Sequence, residues 1–405
     1  MNKDAQLEWL CLGAEEVIGK EELANKLAEG VPLRVKAGFD PTAPNLHLGH
    51  SVLLNKLKQF QDLGHQVLFL VGDFTARIGD PTGKSIARPP LTEVEVAENA
   101  KTYIQQVAKV LDVNNIQVVF NSTWMSALSS QQWVSLTSHY TVARMLERDD
   151  FQKRFAAQQA IGLHEFMYPL IQGYDSVALN ADLEIGGTDQ KFNLLMGRHL
   201  QKQYHQSPQA VLLLPLLEGI DGQKKMSKSI GNTIDVNDSP GEMFSKLVSI
   251  PDHLMWRYFT LLSHRSFAEI AGLQQAVAEG VNPRDVKMKL ACELISRFHG
   301  EEAVHGIEQA AGNRMQLGAQ PTDVEKIVVS VASSESTPIT AVLRLSGLVK
   351  NANAARDVLY SGVVCVDGQI VDAAAVLSVG RTYLLQVGKK KIANVCLVHE
   401  TKGKC

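Results

Sequence analysis

The sequence predicts an α/β fold built on a doubly wound parallel sheet, extended by helices and closed by a small α+β module. Three observations carry this. The first third alternates apolar runs with amphipathic stretches, in the order strand, helix, strand, helix, strand. Runs such as Gln66–Val71 and Ala210–Leu217 are almost continuously apolar, as strands covered on both faces must be. Glycines or prolines follow several of these runs. Ligands of such a sheet bind at the carboxyl ends of its strands.

The elements follow in order. Residues 4 to about 28 read as one amphipathic helix. Leu33–Phe39 is the first strand. Two prolines in Pro41-Thr42-Ala43-Pro44-Asn45 force a turn, with Asn45 as helix cap. Leu53, Leu57 and Phe60 then share one helical face. Gln66–Val71 is a strand between glycines, Thr92–Leu111 a helix and Ile116–Phe120 a strand. Ser122 to about Leu163 is polar and helical, an insertion between the two halves of the sheet. A helix over His164–Asp175 and a second glycine turn after Ala181–Gly187 come next. Ala210–Leu217 is a further buried strand, and Pro240 to about Ala310 is helical throughout. Residues 311–336 have the composition of a linker zone. The tail reads as helices over Ile339–Leu348 and Asn353–Ser361. Strands follow at Val363–Val366, Tyr383–Val387 and Ile392–Leu397.

At 405 residues and 45% apolar content, the chain has material for two or three domains. Its net charge of −3 implies no global attraction to nucleic acid. From Glu335 to Cys405, however, nine Lys or Arg face five Asp or Glu, leaving +4 there and −7 on the rest. A basic tail on an acidic body suits a local polyanion contact. Cys11, Cys292, Cys365, Cys396 and Cys405 fit neither a zinc spacing nor a disulfide framework, so reduced thiols in the cytoplasm are expected. Residues 1–9 are charged and lack an apolar signal core. No run of about 18 apolar residues marks a membrane span.

Two stretches carry chemistry. His47-Leu48-Gly49-His50 opens a helix directly after a strand and a tight turn. Backbone N–H groups and the positive dipole end there suit an anion. Both histidines fall on one face of the first helical turn. Gly49 weakens the helix, by about 1 kcal/mol relative to alanine, which suits a flat group lying against the backbone. A metal pair is the rival reading, but no Cys or carboxylate cluster adjoins it. The second stretch, Lys225-Met226-Ser227-Lys228-Ser229, is a polar, glycine-flanked mobile loop. Alone it reads as a solvated face or a nonspecific phosphate contact.

Together the two stretches resemble the paired signatures of class I aminoacyl-tRNA synthetases, the second letter for letter. The segment Thr75–Lys84, the helical-face trio Tyr168, Gln172 and Asp175, and Gly186-Gly187-Thr188-Asp189-Gln190 narrow the resemblance to the bacterial tyrosyl subgroup with an intact Lys-Met-Ser-Lys-Ser loop. The tail resembles the small RNA-binding domain shared with ribosomal protein S4. The resemblance implies a Rossmann-like catalytic domain over 1–235, with a helical insertion at about 122–163. A helical domain over 236–320, a linker over 321–336 and an S4-like domain over 337–405 would follow.

The resemblance also implies an activity. Tyrosine and ATP, carried with Mg²⁺, form tyrosyl-adenylate and pyrophosphate, and tyrosine then passes to tRNA(Tyr). Asp175 would accept the phenolic hydroxyl, while Asp80, Tyr168 and Gln172 would hold the ammonium. Asp40 would line the same pocket and Gln190 would lie near the carboxylate. Thr42 and His47 would contact the outgoing phosphates, and His50, with Gly49 beside it, the nucleotide ribose. Gly187 and Asp189 would take the ribose. Lys84, Arg88, Lys225 and Lys228 would neutralise the pyrophosphate. A homodimer without membrane attachment and without a resident metal is implied. Lys36 stands where many members place a tyrosine that meets the substrate hydroxyl. A tryptophan-activating enzyme is the nearer rival, and a catalytically silent RNA-binding relative the more distant one.

Overall fold

The computed structural model describes residues 3–80, 92–307, 326–331, 335–367, 369–388 and 391–399. The amino-terminal stretch is not one helix. It divides into α1 (Lys3–Cys11), β1 (Glu16–Ile18) and α2 (Lys20–Glu29). Gly13 and Gly19 take φ of 78° and 76°, a left-handed conformation that breaks helical continuity between them. The freed residues pair with the far edge of the sheet instead, Val17 opposite Leu212.

The expected alternation then follows: β2 (Arg34–Phe39), α3 (Leu48–Asp62), β3 (Gln66–Val71), α4 (Glu93–Val107) and β4 (Ile116–Phe120). Four short helices fill the insertion, α5 (Ser122–Met125), α6 (Ser130–Ser138), α7 (Val142–Met145) and α8 (Asp149–Ala156). The second half supplies α9 (Leu163–Ala178), β5 (Leu183–Gly187), α10 (Lys191–Gln203) and β6 (Ala210–Leu214). The six strands lie in the order β1-β6-β5-β2-β3-β4, all parallel except β1. The order reverses between β2 and β5, which opens a crevice at their carboxyl ends.

Burial follows the apolar pattern. Every residue of β5 and β6 is buried. Phe39 stacks on Phe69 at 4.7 Å, and Leu54, Leu57 and Phe60 of α3 are buried. Four further helices, α11 (Pro240–Ser249), α12 (Asp252–Leu262), α13 (Phe267–Ala278) and α14 (Pro283–His299), belong to the same compact unit, residues 1–305. Asn55 of α3 donates to the Leu261 carbonyl of α12 at 3.3 Å.

A second compact unit spans residues 306–405. Part of the expected linker zone is structured. Lys326–Val331 forms β7, parallel to the strand Lys391–His399. Val329 and Val331 are buried and alternate with exposed residues, a period of two that the flanking polar composition obscures. Two helices, Ile339–Leu345 and Ala352–Tyr360, pack on this five-stranded sheet through a core that includes Ile339, Leu343, Leu359 and Val395.

Replacing Phe60 by Ala should cost the first unit about 3–5 kcal/mol by cavity formation. Denaturant unfolding followed through that unit measures it. A loss below about 1 kcal/mol would show that the ring is not packed as described.

Candidate active site

The turn after β2 is held by α4. Gln106 Oε1 accepts the Leu46 N–H at 2.6 Å, and Gln106 Nε2 donates to the Pro44 carbonyl at 2.8 Å. Asn99 donates to the Pro41 carbonyl at 2.9 Å. The cap of α3 is His47 rather than Asn45. Asn45 is diverted: its amide reaches Asp235 at 3.4 Å, and its carbonyl accepts the Lys228 ammonium. His50 Nδ1 accepts the His47 N–H at 3.1 Å, so the second histidine satisfies a helix-end donor. The two rings lie 3.9 Å apart. A Cβ on Gly49 would come within 3.0 Å of the His47 ring, so the glycine admits that imidazole against the backbone.

Burial, with Lys228 and Lys225 nearby, holds the His47 imidazole down at about 3. Burial and the neighbouring His47 hold His50 well below the ordinary range. Both rings are therefore neutral near pH 7. As neutral rings they can hydrogen-bond but carry no charge. His47 Nδ1 is buried without a hydrogen-bond partner among the described residues.

The lysine loop meets this turn. Leu48 N–H donates to the Ile234 carbonyl at 2.9 Å, and Val236 N–H to the Leu46 carbonyl at 2.9 Å. Asn232 braces the loop from within. Its Oδ1 accepts Ser227 N–H at 2.8 Å, and its Nδ2 donates to the carbonyls of Lys224 and Lys225 at 3.2 Å. Lys225 Nζ lies 2.8 Å from Asp189 Oδ2, just past the end of β5.

One cleft of about 750 Å³ takes in both stretches. Thr42, His47, Gly49, His50, Gly187, Asp189, Lys225 and Lys228 line it, as do Asp40, Asp80, Tyr168, Gln172, Asp175 and Gln190. Lys84 and Arg88 lie outside the described residues. Deep in the cleft, Tyr168 OH donates to Asp40 Oδ2 at 2.7 Å, and Thr75 donates to Asp40 Oδ1 at 2.7 Å. Gln190 Nε2 donates to Asp80 Oδ2 at 2.9 Å. Asp175 is buried and accepts Trp124 Nε1–H at 2.8 Å and, more weakly, Asn121 Nδ2–H at 3.4 Å. Burial raises its carboxyl to about 7, against the lowering influence of Lys36, Trp124 and Asn121. One end of the cleft is thus cationic and the other carboxylate-lined.

A family model described as tRNA synthetases class I (W and Y) matches residues 28–316. The tyrosine–tRNA ligase of Colwellia psychrerythraea is 54% identical over 384 residues, covering 95% of this chain and 96% of its own length. That of Thiobacillus denitrificans is 54% identical over 387 residues, covering 95% and 98%. The chain belongs to the tyrosine–tRNA ligase family of class I synthetases. Solved structures share the fold. A C-terminally truncated mitochondrial tyrosyl-tRNA synthetase of Aspergillus nidulans aligns at TM-score 0.65 and 21% identity, over 77% of this chain and 93% of that one. The Archaeoglobus fulgidus tyrosyl-tRNA synthetase, complexed with L-tyrosine, aligns at 0.61 and 23%, over 75% and 99%.

Several residues that shape this synthetase site escaped sequence reasoning. Trp124 and Asn121 reach Asp175 from just beyond β4, a strand end where a ligand contact is expected on topology alone. Thr75, Gln106 and Asn232 act by orienting others; Thr75 lies in a recognised motif and Asn232 closes the lysine stretch, but nothing in the spacing shows these contacts or marks Gln106. Lys36 does not line the cleft. Its ammonium is buried beneath it, against Glu184 and Ser176.

The His47 ring should stay neutral down to about pH 4, readable in imidazole NMR shifts. Because its folded value lies below the ordinary 6.5, its contribution to stability is complete above pH 6.5. It is lost as pH falls, by up to about 1.4 kcal/mol per pH unit. A titration midpoint near 6.5 would mean that the ring is solvated.

Proposed function

We propose that the cleft activates tyrosine with ATP and then passes it to the end of tRNA(Tyr). The observation that carries this reading is one cleft with the histidine turn and the lysine loop at one end and the buried Asp175 at the other. Tyrosine's carboxylate is ionised at neutral pH, so attack on the α-phosphorus of ATP needs no general base. Rate then comes from alignment and from stabilising charge on the departing pyrophosphate.

In this reading the phenolic hydroxyl donates to Asp175, whose two other donors leave room for a third. Phenylalanine would desolvate that carboxylate without supplying a partner, at a cost of about 1–3 kcal/mol. Asp80, Tyr168 and Gln172 hold the ammonium, Asp40 lines the pocket, and Gln190 approaches the carboxylate. Thr42 and the neutral His47 donate to phosphate oxygens, and His50 reaches the nucleotide ribose, with Gly49 beside it. Gly187 and Asp189 take the ribose. Asp189 shares itself with Lys225, which couples nucleotide binding to loop position. Lys225 and Lys228, with Lys84 and Arg88 on sequence grounds, meet the pyrophosphate. Mg²⁺ enters with ATP as part of the substrate. The +4 tail gives the tRNA a basic module to contact. The reading includes a cytoplasmic homodimer. No helix among the described residues is long and apolar enough to cross a membrane.

The test is ATP–pyrophosphate exchange against all twenty amino acids. Tyrosine alone should support it. Silence with every amino acid would favour an RNA-binding relative without catalysis, and tryptophan dependence the rival substrate. Lys228→Ala should lower kcat by about 10²-fold or more while leaving tyrosine KM within about twofold, because its contact matures as charge develops. Equal losses in both parameters would remove Lys228 from that role.

A further inference from the structure

Lys36 sits in the middle of a parallel strand with no solvent exposure. Burying an ammonium there is costly unless every N–H is matched. Three acceptors match it. Glu184 Oε1 lies 3.0 Å away on the neighbouring strand, Ser176 Oγ 2.7 Å away, and the Gln172 carbonyl 3.2 Å away. The network continues: Ser176 donates to Glu184 Oε2 at 3.1 Å, and Gln209 Nε2 donates to the same oxygen. Helix α10 carries Gly197 where a Cβ would stand 2.8 Å from Ser176 Oγ, so the packing leaves room for the polar cluster. An apolar pair of similar volume would pack this position at less cost.

The cluster touches α9 at Gln172 and Ser176, and the proposed tyrosine contacts Gln172 and Asp175 occupy the same turn. We propose that Lys36 is a specificity-determining positioning residue. It fixes the α9 turn from beneath the pocket and supplies the positive charge that keeps Asp175 a hydrogen-bond acceptor for the phenolic hydroxyl. This rests on the reading of Asp175 as the phenol acceptor.

The electrostatics agree with the geometry. Lys36 is the foremost influence lowering Asp175 against burial, and Glu184 opposes it. The other charged or titratable groups at this end of the pocket are Asp40, Tyr168 and Asp80, with Arg148 3.8 Å from Asp80. The Tyr168 phenol is held well above its ordinary range by burial and by these carboxylates. Removing Lys36 leaves only Trp124 and Asn121 to support the Asp175 anion, with the Glu184 carboxylate still nearby. A protonated Asp175 loses acceptor capacity, and discrimination against phenylalanine weakens with it.

The experiment follows kcat/KM for tyrosine and for phenylalanine in ATP–pyrophosphate exchange between pH 6 and 8.5. It compares wild type, Lys36→Met, Lys36→Met/Glu184→Gln and Asp175→Asn. In the wild type the acid limb reports Asp175 near its value of about 7. In K36M the limb should move up by about one pH unit. The tyrosine KM at pH 7 should rise roughly fivefold and recover toward pH 8.5, with the ATP KM unchanged. The tyrosine-to-phenylalanine ratio should fall at pH 7. The double variant, which buries no unpaired carboxylate, should fold as well as wild type yet keep most of the shift. An unmoved limb in K36M, or a wild-type limb in the double variant, would reduce Lys36 to a structural partner of Glu184. If K36M does not fold, the double variant alone decides. D175N separates the two layers. An unchanged tyrosine KM there overturns the reading of Asp175 itself. A raised KM with an unmoved limb in the Lys36 variants overturns only the role of Lys36.

Discussion

The site depends on a short backbone bridge between the helix-opening turn and the segment after the lysine loop. Leu48 and Val236 donate to Ile234 and Leu46, and the side chains of Asn45 and Asp235, 190 residues apart, meet beside them. Backbone bonds of this kind are directional, so they set loop position to within a fraction of an ångström. Lys228 then reaches the Asn45 carbonyl, and Lys225 reaches Asp189. Without that bridge the lysines would be a solvated run with no geometric relation to the histidines.

Charge divides along the cleft. At the outer end the lysine ammonium groups gather around imidazoles that burial keeps neutral. Neutral rings can crowd against lysines without adding repulsion, and a neutral imidazole keeps one ring N–H as a hydrogen-bond donor. At the inner end, Asp40, Asp80 and Asp175 all line the cleft, and Tyr168 donates to Asp40. Such a carboxylate-rich pocket suits an ammonium and a phenol. The sheet supplies the scaffold for both ends, because its strand order reverses between β2 and β5.

Much of the fold was legible. Apolar runs identified β2, β3, β4 and β6 within a few residues; β3 and β6 are almost wholly buried and tolerate little else, while β4 at the sheet edge is only partly covered. The failures have local causes. Three-residue β1 carries too little pattern to show, and it exists through pairing with β6. Strand β7 was hidden by polar neighbours on either side. Asn45 has the chemistry of a cap, but a bond to the loop segment claims it, and His47 takes the position.

Two kinds of information thus separate. Residue type and spacing alone determined the α/β class and the face shared by Tyr168, Gln172 and Asp175, while the pairing of a histidine turn with a lysine loop came from the resemblance of two short motifs to known signatures. These are properties of periodicity and of short motifs, carried within a few turns of chain. Only the tertiary structure decided that Trp124 and Asn121 support Asp175, that Asn232 braces the loop, and that Lys36 lies beneath the pocket against Glu184. Each of those contacts joins separate elements through a side chain. Whether a buried polar group finds its partner is settled by packing, which local sequence does not encode.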